Sequence, residues 1–103
     1  MLVQFSIVPL GVGVSISSYV AKVIKIVDKS GLPYKLHAMG TIVEGEWEEV
    51  MNLIKKCRDT LMEEIERIVI DIKIDDRKGA TGRIEGKVRS VEEKLEKLLK
   101  NKR

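Results

Sequence analysis

From position 68 to position 74, isoleucine stands at every second residue: Ile68, Ile70, Ile72 and Ile74 alternate with Arg67, Val69, Asp71, Lys73 and Asp75. Side chains on a strand point to opposite faces with a period of two, so this run makes a strand with one apolar and one mixed face. Such a strand is stable only in a sheet whose apolar face is covered, while its other face meets water or another surface. The rest of the chain must therefore supply further strands and amphipathic helices to cover them.

Leu2 to Val8 reads as the first of these strands, with Val3, Phe5 and Ile7 on one face and Gln4 and Ser6 on the other. Pro9 and Gly11 are expected to end it. Ile16, Val20, Val23, Ile24 and Val27 then recur at helical spacing, with Ser15 as N-cap and Lys29 before Gly31 as the C-terminal signal. After Pro33 two short strands are expected, Tyr34 to Ala38 and Thr41 to Glu44, around a Met39-Gly40 turn. A second helix starts near Glu46. Glu46, Glu48 and Glu49 sit at the positive end of its dipole, and Val50, Leu53, Ile54, Cys57, Leu61 and Ile65 line its buried face. Asp76 to Gly86 reads as a polar loop. A short last helix follows, with Ser90 and Glu93 as a capping box and Val91, Leu95, Leu98 and Leu99 as its stripe.

The order is βαββαβ with a terminal helix, the α+β ferredoxin-like arrangement, expected as a single domain over residues 1–103. Both long helices pack on one face of a four-stranded antiparallel sheet. The other face carries Leu2, Gln4, Ser6, Val8, Val69, Asp71 and Lys73. That mixture is more apolar than water favours and more polar than a core, which marks it for association or ligand contact.

Composition narrows the function. A net charge of +3 invites a nucleic-acid reading, but the basic residues interleave with acids, as in Glu92-Glu93-Lys94-Leu95-Glu96-Lys97. Alternation of this kind makes a solvated helix face rather than a phosphate-tracking stripe. Phe5, Tyr19, Tyr34 and Trp47 are scattered and build no stacking platform. No apolar run reaches about twenty residues, and the stretch Met1-Leu2-Val3-Gln4-Phe5 has no basic residue and is interrupted by Gln4 and then Ser6, so the expected location is cytoplasmic, without a membrane partner. Cys57 is the one cysteine; on an apolar helix stripe it acts as a small hydrophobe.

Several residues carry potential chemistry. Gly11-Val12-Gly13 lies between strand and helix like a phosphate-binding turn, but Ile16 stands where the third glycine belongs, so it reads as a flexible turn. His37, the single histidine, has no partner at metal-ligand spacing and no recognisable nucleophile, which leaves a structural or ligand-edge role. Asp71 and Asp75 lie about 13 Å apart along one strand face, too far to work as a pair. Asp75-Asp76-Arg77 reads as a strand end. Asp71, mid-strand on the open face, needs a cation or hydrogen-bond donor once covered, from Lys73 or from a ligand.

The segment Met39-Gly40-Thr41-Ile42-Val43-Glu44-Gly45-Glu46 resembles the YkoF-like thiamine-binding family. Val8-Pro9-Leu10-Gly11, Ser15, Tyr19-Val20 and Ile72-Lys73-Ile74-Asp75-Asp76-Arg77 extend the resemblance over nearly the whole chain. It implies a ferredoxin-like fold whose open sheet faces pack between subunits, giving dimers or tetramers. It also implies non-catalytic binding of thiamine or its hydroxymethylpyrimidine part as ligand, with no cofactor. By motif position Thr41 and Glu44 carry over as ligand residues and Met39 as a pocket wall, while Ser6 and Asp71 join them from their expected face. Thr41 and Glu44 are three apart, so a regular strand points them to opposite faces unless it ends or bulges between them. Two rival readings stand beside the binding protein. One is a structural or regulatory homo-oligomer. The other is an enzyme of thiamine-precursor metabolism using Glu44, His37 or Asp71 as acid or base.

Overall fold

The computed structural model describes residues 1–13 and 16–101. In chain order these form β1 (Leu2–Leu10), α1 (Ser17–Lys29), β2 (Tyr34–His37), β3 (Gly40–Glu44), α2 (Trp47–Met62), β4 (Arg67–Asp75) and α3 (Arg83–Asn101). The strands make one antiparallel sheet in the order β2-β3-β1-β4, so the ferredoxin-like βαββαβ architecture is present. The core lies between this sheet and α1 and α2. Val3, Phe5, Ile7 and Val43 come from the strands, Val23 and Val27 from α1, and Val50, Leu53, Ile54, Cys57 and Leu61 from α2, with Ile65 just beyond. All six residues expected on the inner face of the second helix are buried. The first turn of α2 is held by the Glu49 carboxylate, which accepts the Glu46 N–H at 3.0 Å. Lys22 bridges α1 to Glu64 beyond α2, and Tyr34 Oη donates to Asp28 at 3.0 Å, tying β2 to α1.

β4 spans the nine residues expected and pairs along its whole length with β1, from Leu2 opposite Asp75 to Leu10 opposite Arg67. Here β1 departs from expectation, because it continues through Pro9 to Leu10. The reason lies in the ladder. Met1 O accepts from Gly45 N, so in β1 the polar backbone groups of odd-numbered residues face β3. Pairing with β3 stops at Phe5 opposite Thr41. The N–H that Pro9 lacks would therefore point to the side that β3, which begins at Gly40, does not reach, and the strand loses nothing.

The hairpin is shifted by one residue from the expected Met39-Gly40 turn. Ala38 and Met39 form the turn, and Gly40, opposite His37, opens β3. A Cβ at Gly40 would lie 2.8 Å from Phe5 O, so the close approach of β3 to β1 requires glycine there. The last helix is not short. It runs for 19 residues from Arg83, and Ser90, expected as its cap, lies in its second turn. Ser15, expected to cap the first helix, lies outside the described residues, and Ile16 occupies the cap position. The open sheet face is also less bare than expected, since Ile84 and Val88 of α3 share a shallow depression with Leu2, Gln4 and Ile42.

Candidate functional site

Beside the first residues of β3, where β1 continues past Phe5 without a partner strand on that side, the sheet leaves a gap, and a cleft of about 170 Å³ occupies it. One wall is β1 from Phe5 to Val8, another the end of the hairpin from Leu36 to Thr41, and the floor is made by Ile16, Val20, Val23 and Ile24 around α1. Its size suits one substituted ring, since sites for drug-sized molecules run from about 300 Å³ upward. By the alternation that explains Pro9, the N–H and C=O of Ile7 and the C=O of Pro9 face the side on which β3 provides no partner. Among the described residues the β3 ladder leaves this donor and acceptor without a strand partner, which makes them a template for a flat ligand with a matching edge.

Two side chains add to this. Thr41 is 4% exposed and lines the cleft opposite Phe5. His37, half-buried, accepts the Met39 N–H at Nδ1 (3.3 Å), which makes Nε2 the protonated nitrogen of the neutral ring. That Nε2 is fully buried and has no hydrogen-bond partner among the described residues. A buried donor left unmatched costs about 1 to 3 kcal/mol, a cost that an acceptor reaching it would relieve.

The five residues singled out in the sequence divide among three places. Thr41, Met39 and Ser6 line the cleft, Met39 as an exposed lip at the turn. Asp71 does not line it, but stands directly across the β1–β4 ladder from Ser6 on the open face, where paired Cβ atoms lie roughly 5 Å apart. Glu44 is elsewhere. β3 runs regularly from Gly40 to Glu44, with Thr41 opposite Phe5 on the core side and Glu44 opposite Leu2 on the open side. The strand neither ends nor bulges between them, so the two do not meet. Glu44 Oε1 instead accepts the backbone N–H groups of Arg83 (2.8 Å) and Ile84 (3.2 Å), and thus caps α3. It borders a separate, wide groove with Glu46, Glu49 and Arg89. The strongest contribution that sequence reasoning undervalued is His37, whose burial depends on the turn shift and on contacts from outside its own strand.

The sequence profile of the thiamine-binding protein family matches residues 3–92. The chain belongs to that family. A UPF0045 protein of Methanocaldococcus jannaschii is 37% identical over 93 residues, covering 90% of this chain and 93% of the relative. Another, from Mycobacterium tuberculosis, is 38% identical over 96 residues, covering 92% and 94%. Among solved structures, the M. jannaschii hypothetical protein superposes with a TM-score of 0.82 over 89% of this chain and 95% of its own. A Thermotoga maritima protein, described as a candidate for thiamine biosynthesis or salvage, superposes with a TM-score of 0.73 at 26% identity, covering 82% and 91%. Neither the description of the thiamine-binding family nor the UPF0045 names state a catalytic activity. No described helix is long and apolar enough to cross a membrane.

Proposed function

We propose that this protein binds thiamine, or its hydroxymethylpyrimidine part, without turning it over, and does so in the cleft between the start of β3 and β1. The observation that carries the reading is the pairing of an open β1 rung at Ile7 with the buried, unmatched Nε2–H of His37 in a cleft of single-ring size. A 4-aminopyrimidine presents an amino donor beside a ring-nitrogen acceptor on one edge, and a second ring nitrogen as a further acceptor. The Ile7 C=O and N–H answer the first pair, and His37 Nε2–H or the Thr41 hydroxyl answers the second. The apolar residues of α1 supply the face on which the ring lies. In whole thiamine the cationic thiazolium would extend past Ser6 toward Asp71, the carboxylate across the ladder. Membership of a thiamine-binding family supports the choice of ligand.

The protein would act as a cytoplasmic homo-oligomer, a dimer or tetramer, with no cofactor. The support is the open sheet face, where Val8, Leu10 and Val69 are each between 38% and 42% exposed. Calorimetry with hydroxymethylpyrimidine and thiamine tests the binding. Saturable heats are expected with both, weakened about tenfold to a hundredfold by Thr41→Val, which removes a hydroxyl and nearly conserves volume. Absence of heat with either ligand, or consumption of ligand over time, overturns the reading.

A further inference from the structure

α3 carries a pattern that the cleft does not use. Ile84, Val88, Val91, Leu95 and Leu98 are separated by four, three, four and three residues. That is the 3.5-residue period of a helix that pairs along a seam with another helix. The seam is bare beyond the first turn: Val91, Leu95 and Leu98 are 66%, 52% and 60% exposed. The helix projects from the body, giving a molecule 57 Å long and 19 Å thick. Stripes this apolar are rare on a helix that works alone in water.

The flanking charges choose the partner. With Val88 and Leu95 at the a positions, Val91 and Leu98 fall at d, Lys87 and Lys94 at g, and Glu85 and Glu92 at e. We propose that α3 pairs in parallel with α3 of a second copy of this chain. In a parallel pair each g residue faces the e residue five positions later on the other helix, so Lys87 meets Glu92 twice by symmetry. In an antiparallel pair g faces g and e faces e, which sets lysine against lysine and glutamate against glutamate. The same helix is thus self-complementary in one orientation and self-repelling in the other. Lys87, which bonds Asp75 within its own chain, is half exposed and free to lie between the two carboxylates. Two heptads are marginal in isolation. The Glu44 cap and the contact of Ile84 with the sheet fix the helix start to the body before pairing begins.

Single cysteines introduced into the full chain test this, because Cys57 is fully buried and does not compete. Parallel pairing sets every seam position opposite its own counterpart. Val91→Cys and Leu98→Cys should therefore each give a disulfide-linked dimer under mild oxidation, while Arg89→Cys, off the seam, should give none. Cross-linking of only one seam position indicates an antiparallel crossing and overturns the proposal. Failure of both, or equal cross-linking by Arg89→Cys, overturns it as well.

Discussion

Replacing Glu44 by alanine separates the role given to this residue by its motif from the role given by its geometry. Its Oε1 accepts two backbone N–H groups, at 2.8 and 3.2 Å, from the first two residues of α3. Losing a side-chain acceptor at a helix start costs about 0.5 to 2 kcal/mol, and losing a negative charge at the positive end of the dipole about 0.3 to 1 kcal/mol, with the two partly overlapping. We take about 1 to 2 kcal/mol. α3 otherwise touches the body mainly where Ile84 and Val88 meet the edge of the open face, so the loss should appear as local opening of the helix rather than as global unfolding. Amide exchange at Ile84 to Val88 should accelerate roughly 5- to 30-fold, with the β1 and β4 amides unchanged. Glu44→Gln, which keeps an acceptor and removes the charge, should show a smaller effect. Binding of hydroxymethylpyrimidine should stay within about twofold in both variants. Unchanged exchange in α3 together with a tenfold or greater loss of binding would refute the reasoning and return Glu44 to the ligand site.

Gly40→Ala should cost about 1 to 3 kcal/mol of stability and so lower the denaturation midpoint, since its Cβ meets Phe5 O at 2.8 Å; an unchanged midpoint contradicts the close approach. Cys57 should react slowly with thiol reagents in the folded protein and quickly once unfolded, because burial pushes its thiol up to about 11. The raised value favours folding fully below the unfolded thiol's titration and loses that contribution as pH rises toward 11. The stability of the parent relative to Cys57→Ala should therefore shrink over that interval in urea titrations, and a constant difference contradicts it. Val69→Lys, on the open face opposite Val8, should lower the mass measured by light scattering, because an unpaired charge would enter a packed interface; an unchanged mass excludes that face from assembly.

Some of this architecture is written locally, and some is not. The strand from Arg67 to Asp75 and the six buried apolar positions of α2 are found where periodicity puts them, but on β4, which has no strand beyond it, Ile68, Ile70 and Ile74 are only partly buried and Ile72 is 42% exposed. The continuation of β1 through Pro9 depends on which neighbour stops pairing first, which local sequence does not encode. Met39-Gly40 misleads as a turn because the glycine answers a contact with Phe5, 35 positions away, rather than a turn conformation. The start of α3 is fixed by a carboxylate 39 residues earlier, so Gly82 and Gly86 read as loop while Ser90 reads as a cap. The site shows the same division. Thr41, Met39 and Ser6 reach one cleft because strand alternation and the hairpin bring them there, whereas Glu44 leaves it by that same alternation. His37 becomes significant only when its Nδ1 is taken by Met39 and its Nε2 is buried.

Because the chain holds one histidine, the side-chain nitrogen signals of His37 are unambiguous in a long-range 15N–1H spectrum. In the free protein Nε2 should be the ring nitrogen that carries the proton when Nδ1 accepts from Met39, and it should shift along a saturating curve as hydroxymethylpyrimidine is added, with the affinity found by calorimetry. Saturable binding by calorimetry with an unmoved His37 Nε2 would place the ligand elsewhere and contradict the assignment of this cleft.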